Sequence, residues 1–312
     1  MQKHLLQQKK LGEIKVKLAK LSMEAAQKAE CTITLQNKSK EEQDIDSRGR
    51  VGISGSIDMH WPGRGIGRSY NSDSGASYLM GHYTALICAA WIFCKSCRTC
   101  FYHLKNKNNN SLGGNETLKP HQCARNFPKT QASKEMEPSA AVNIVEYLPT
   151  TNSGVFLSEI IMDDDTTTMA QLQNKDKGGK LCNELQTPHK KADTNHRIRG
   201  LGRQVLELAD MRVGQSRVTT EIASRVKRNF AYWLTYHKTQ STPIAEVHQT
   251  RNAAVNHMFG YHKFCTPNCP ANQAAAKNNQ YAPKYKPLCM KMHSDIYMDL
   301  LSIVHLFTGF QS

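Results

Sequence analysis

Two acidic positions and two clusters of cysteine and histidine carry most of the chemistry that this sequence offers. Asp58 sits in "GSIDMHW", and Asp163 opens the triple aspartate of "IIMDDDTTT". Proteins that cut or transfer phosphodiesters bring carboxylates together from separate segments. These hold Mg²⁺ or Mn²⁺, which stabilises the attacking and leaving oxygens of an in-line displacement. Either acid alone has a simpler account: Asp58 as an edge-strand acid, Asp163–Asp165 as a helix N-terminus that favours negative charge. The two in this order, with strands and a helix between them, point to a shared site.

"CKSCRTC" supplies Cys94, Cys97 and Cys100, and "HQC" supplies His121 and Cys123. Cys97, Cys100, His121 and Cys123 form a nitrogen and sulfur set suited to a closed tetrahedral Zn²⁺, with Cys94 able to replace one of them. "HMFGYHKFCTPNC" places His257, His262, Cys265 and Cys269 close together in the same way. Reduced thiols beside solvent-facing histidines are the alternative at both. The start of the chain is basic, with no apolar signal core after it. An intracellular setting follows, in which ten cysteines favour metal sites over disulfides.

The hydrophobic pattern says what must position these groups. Residues 1–30 read as a basic helix with a broad apolar stripe. It is expected to pack on the next domain, the alternative being a DNA-contacting or partner-binding arm. Residues 36–50 read as a charged linker. "VGISGSIDMHW" alternates as a strand and carries Asp58; "ASYLMGHYTALICAAWIF" reads as a hairpin turning near Gly81 and His82. A polar loop follows at 104–120. "SKEMEPSAAVNIVEYL" repeats its apolar residues every four and predicts a helix; "GVFLSEIIM" predicts a strand ending at the aspartates; "TTTMAQLQ" opens another helix. Two further helices are predicted over 196–210 and 218–238. Three strands, helix, strand, helix is the opening of an α/β fold of the ribonuclease H type. There one acid lies on the first strand and another at the end of the fourth.

Composition sets the class. The chain has 312 residues, enough for one large domain or two small ones. With 39% hydrophobic and 7% aromatic residues, a modest core among long polar segments is expected. Lys and Arg exceed Asp and Glu by 41 to 26, and the resulting +15 attracts polyanions, of which nucleic acid is the commonest. No run of roughly 18 apolar residues is present, so no transmembrane helix is expected.

Several motifs align in order across about 51–270: "IDMHWPGRGIGRSYNSDSG", "CKSCRTC", "HQCARNF", "ASKEMEPSAAV", "IIMDDDTTTMAQL", "DTNHRIRGLGRQVLEL" and "HMFGYHKFC". In these the chain resembles the Mutator-like transposase domain. The resemblance implies a DDE-type transposase with a ribonuclease H-like core, flanked by a 1–50 helix and linker and a 271–312 tail. Asp58 matches the first catalytic acid, in an Asp-x-x-Trp block. Asp163 is the choice for the second and Asp165 the reserve. "DTNH" matches a motif of the family as Asp193 and His196. Mg²⁺ or Mn²⁺ at the carboxylates and Zn²⁺ at the Cys/His clusters are the implied cofactors. DNA, as transposon ends and target, is the implied partner; a homo-oligomer is compatible with it, a membrane is not, and the nucleus is the expected location. Two departures stand out. The family's third acid is a glutamate on a later helix, whereas here no glutamate follows Glu246 and the tail holds only Asp295 and Asp299. Met162 and Asp164 replace glycines beside the acids, where glycine would allow close backbone approach. The expectation is a transposase-derived DNA-binding protein, truncated at its C-terminus, with metal-dependent phosphodiester cleavage and strand transfer as the ancestral activity; the alternative is a non-catalytic zinc- and DNA-binding protein or a degenerate transposon relic.

Overall fold

The computed structural model describes residues 2–62, 72–102, 121, 123–163, 166–211 and 218–308. The glycine-rich turn after Trp61, the 104–120 loop and Asp165 lie outside these. The chain divides into two compact units, Met1–Ala192 and Asp193–Ser312.

The first unit is α/β. It contains helix α1 (Gln2–Asn37), strands β1 (Val51–His60), β2 (Ser74–Gly81) and β3 (Ile87–Cys94), helix α2 (Met136–Tyr147), strand β4 (Val155–Met162), helix α3 (Thr166–Gln171) and strand β5 (His189–Ala192). The five strands form one mixed sheet in the order β3-β2-β1-β4-β5. β1 pairs antiparallel with β2, and β2 with β3. β1 pairs parallel with β4, and β4 with β5.

Alternation in β1 sends Ile53 and Ile57 into a core shared with Leu79, Ala89, Ile144, Leu148, Leu157 and Ile160. Gly52 has no room for a side chain: a Cβ there would meet that of Ser158 at 2.6 Å, which is why β1 and β4 can pair so closely. α1 is longer than its sequence pattern predicts, and its C-terminal half belongs to this unit. Ala26 joins the core. The buried Glu30 carboxylate accepts from the backbone N–H groups of Tyr83 and Thr84, both at 2.9 Å, and from the Thr84 hydroxyl at 2.7 Å. It thereby clasps the β2–β3 turn. Gln27 Nε2 donates to the Cys88 carbonyl at 2.7 Å.

The second unit is helical: α4 (Thr194–Met211), α5 (Thr220–Gln240), the short α6 (Ile244–Thr250), α7 (Ala253–Asn256) and α8 (Pro270–Ala276), and α9 (Met290–Thr308). Thr219 caps α5 by accepting from the Ile222 N–H at 3.2 Å. Leu201, Val205, Val226, Phe230, Trp233, Val255 and Met258 make its core, together with Ile296, Leu300 and Val304 of α9. Residues 271–312, read from sequence as a tail, thus include a helix that is integral to this core. Among the described residues no helix is long and apolar enough to cross a membrane.

Candidate functional site

The acidic pair is built by the parallel pairing of β1 and β4. The last paired residues are Ser56 and Ile161. Carried two residues further, that register sets Asp58 level with Asp163, which follows the last residue of β4. Adjacent strands lie about 4.8 Å apart, and residues level with each other project from the same face. Asp58 is exposed and Asp163 half-buried. The Asp58 side chain accepts from the Met59 N–H at 2.8 Å, and the Ser77 hydroxyl donates to its carbonyl at 3.2 Å. Both acids therefore sit at the carboxyl ends of parallel strands, where open α/β sheets receive ligands.

Glu159, on β4 four residues before Asp163, has a different role that the sequence did not signal. It bonds to the Ser54 hydroxyl and pairs with Lys191 at 2.8 Å and Lys38 at 3.9 Å. Burial alone would raise this carboxyl. The bonds from Lys191 and Ser54 and the charges of Lys191 and Lys38 outweigh burial and hold it below the ordinary carboxylate range.

The first Cys/His cluster hangs from the end of β3. Asn126 fixes the returning chain there: its Oδ1 accepts from the Cys94 N–H and its Nδ2 donates to the Ile92 carbonyl, both at 2.7 Å. His121 and Cys123 are thereby brought to Cys97 and Cys100, and the four ligand atoms lie within 4.8 Å of one another. His121 Nε2 is 3.5 Å from Cys97 Sγ and 3.4 Å from Cys100 Sγ, and Cys100 and Cys123 Sγ are 3.7 Å apart. A tetrahedron with metal–sulfur bonds near 2.3 Å and metal–nitrogen bonds near 2.0 Å has edges of about 3.8 and 3.5 Å. The sulfur spacing is far beyond that of a disulfide. Backbone N–H groups of Cys100 and Ala124 lower the Cys97 thiol to about 5, which favours the thiolate a metal requires. Cys94 does not join; its thiol points to the Ser96 carbonyl at 3.0 Å.

The second cluster lies in the helical unit. His257 follows α7, Gly260 turns the chain at φ +80°, and Cys269 immediately precedes α8. Cys265 Sγ is 3.5 Å from His257 Nδ1 and 3.8 Å from His262 Nδ1; Cys269 Sγ is 3.5 Å from each. These are again the edges of a tetrahedral N₂S₂ set. Burial holds both imidazoles below their ordinary range, keeping the ring nitrogens free to coordinate. Burial, with Cys269 beside it, pushes the Cys265 thiol up to about 12, so a cation bound there displaces its proton.

Asp193 and His196 open α4. The Asp193 side chain accepts from the Asn195 N–H at 2.8 Å and its carbonyl accepts from the Arg197 N–H at 3.0 Å, as a helix cap does. His196 is exposed in the first turn. Among the described residues, the Cys/His clusters are the groups of three or more ligand side chains that converge closely enough for a metal.

A family model for the Mutator-like transposase matches residues 1–269. The match takes in α1, the whole mixed sheet and both clusters, ending at Cys269. No curated protein and no solved structure matches the chain. The chain belongs to the Mutator-like transposase family.

Proposed function

We propose that this Mutator-like transposase family member is a transposase-derived DNA-binding protein with an acidic site for metal-dependent phosphodiester cleavage. One observation carries the reading: the parallel β1–β4 register, paired as far as Ser56 and Ile161, brings Asp58 level with Asp163 when continued two residues further. The strand order β3-β2-β1-β4-β5, with β1 antiparallel to β2 and parallel to β4, supports a ribonuclease H-like core. The transposase domain in this reading runs over 51–270, entered through the 1–50 helix and linker and followed by 271–312.

Two carboxylates fit Mg²⁺ or Mn²⁺, which take one or two protein carboxylates and fill their remaining positions with water and substrate phosphate. Asp58 and Asp163 would hold the ion, with Asp165 as the reserve. When bound, it supplies charge stabilisation for water attack on a phosphodiester and for attack of the released 3′-hydroxyl on target DNA. The chain's own contribution is to fix the two carboxylates on adjacent parallel strands, with Asp58 held from behind by the Met59 N–H. Asp193 caps the start of α4, and His196 in the first turn would contact a phosphate. Zn²⁺ would occupy Cys97, Cys100, His121 and Cys123, and His257, His262, Cys265 and Cys269, where it closes loops that lack a core of their own. Arg225, Lys227 and Arg228 of the 216–228 basic stretch would neutralise phosphates, in the nucleus.

Purified protein incubated with supercoiled DNA and Mn²⁺ tests this. The wild type is expected to nick and Asp58→Ala and Asp163→Ala to fail while still shifting DNA in a gel. Equal nicking by wild type and Asp58→Ala would refute the site.

A further inference from the structure

The helix α5 has two faces. Ile222, Val226, Phe230, Trp233 and His237 recur every three or four residues and are buried. Arg225, Arg228, Tyr232 and Tyr236 recur with the same period on another stripe. That second stripe lines a groove of about 730 Å³ within the helical unit, closed on its other sides by the second Cys/His cluster and by Tyr285 with Lys284.

Its chemistry is uneven in a way that names an occupant. Among the described residues three cations and no Asp or Glu line it, and the nearest acid, Glu221, one turn before Arg225, acts on Tyr285 more weakly than Arg228 and Lys284 do. Its aromatics are presented, not packed away: Tyr232 is 71% and Tyr285 37% exposed. The Arg225 guanidinium lies 5.2 Å from the Tyr285 ring centroid and Lys284 Nζ 5.6 Å from it, so this ring holds two of the groove's cations in place and leaves Tyr232 as the ring open to stacking. Arg228 bonds the Tyr285 hydroxyl and, with the Lys284 charge, holds that phenol below its ordinary range. Exposed rings interleaved with Arg and Lys, with cations in excess over the nearby acid Glu221, match a polyanion whose flat groups are available to stack. A duplex hides its base faces; a single strand offers them. The groove has the volume of a small-ligand cavity, room for very few nucleotides and too little for a duplex.

We infer that this groove binds a short single-stranded DNA segment, with a base stacked on Tyr232 and phosphates held by Arg225, Arg228 and Lys284. The choice of DNA over other single-stranded polyanions rests on the proposed function; the stacking site does not. A cation at the second cluster would fix the groove's wall by holding His257, His262, Cys265 and Cys269 in place.

The test is fluorescence anisotropy of the full chain, purified with zinc, against a labelled oligothymidine and a duplex of equal length. Wild type is expected to bind the oligothymidine. Tyr232→Ala, at a ring too exposed to carry folding, is expected to weaken that binding by about 5-fold or more and to leave the duplex affinity unchanged. Arg228→Ala is expected to reduce the salt slope for the single strand by about 0.7. Melting temperatures and zinc content equal to wild type would show both variants folded. If both bind oligothymidine as the wild type does, with the same salt slope, the inference is overturned. Duplex binding without single-strand binding overturns it and leaves the proposed function standing. Failure to bind either form overturns both.

Discussion

Replacing Cys269 by serine tests whether the second cluster is a metal centre that the helical unit depends on. Its four donors already stand at 3.5 to 3.8 Å edges, so a tetrahedral cation needs little rearrangement to bind. A ligand present at about 1,000 times its dissociation constant stabilises the folded state by about 4 kcal/mol. The unit spans Asp193–Ser312, and its unfolding entropy should be about 0.25 kcal/mol/K for about 120 residues. Loss of the site should therefore lower its melting temperature by about 16 °C. Chelator should lower the wild type by a similar amount and scarcely move Cys269→Ser. Cobalt substitution gives an independent reading: wild type is expected to show the intense visible bands of tetrahedral thiolate coordination from two sites, and Cys269→Ser from one. Because a bound cation must displace the Cys265 proton and meet neutral imidazoles, affinity should fall steeply on acidification. A Cys269→Ser protein that melts with the wild type, both insensitive to chelator, would refute the reasoning.

Other substitutions probe the remaining pieces. Glu159 has a depressed folded-state pKa, so its ion pairs stabilise fully above the unfolded value near 4.3 and are lost as pH falls through the folded value. Glu159→Gln should thus be less stable than wild type at neutral pH, and urea denaturation should show the gap closing at lower pH; a gap that widens on acidification reverses the sign of the argument. Asn126→Ala removes the bonds that bring His121 and Cys123 home, and should weaken cobalt binding at the first cluster while leaving the second intact. Leu300→Ala, at a fully buried position of α9, should cost about 2–5 kcal/mol in chemical denaturation. A negligible cost would mean that α9 does not belong to the core.

Much of the α/β unit was legible because β2 alternates, β1 and β4 are runs rich in apolar residues that end at turns or acids, and the helices repeat apolar residues at spacings of three and four. β1, the β2–β3 hairpin, α2 and β4 each announce themselves that way. β5 does not. "HKKA" has no apolar period, and three of its four residues are exposed; it is a strand because β4 offers it an edge and Glu159 a partner for Lys191. That information is non-local. α9 is the opposite case: Ile296, Leu300, Ile303 and Val304 carry a clear helical period, but reading 271–312 as a remnant masked it. At the first cluster, spacing named five candidates for four places. Only the Asn126 tie and the turn of the Cys94 thiol toward Ser96 decide among them.

Glu159 on β4 and Asp163 just past its end add an electrostatic argument for the proposed cation. Glu159 and Asp163 lie an even number of residues apart on one strand and so face the same side. Glu159 stands beside Ser54 on β1 and within reach of Lys38 and Lys191, and its charge is balanced by protein. Four residues on, the same register, continued two residues past its last pair, sets Asp163 level with Asp58. Like charges directly across a strand pair destabilise it. In a chain carrying +15, a lysine at either position would have removed the repulsion. A divalent cation would convert the same juxtaposition from repulsive to attractive, because its own charge would be the largest there. In the proposed reading, the aspartates at the strand end are half of a binding site whose other half would arrive with the ion and a phosphate.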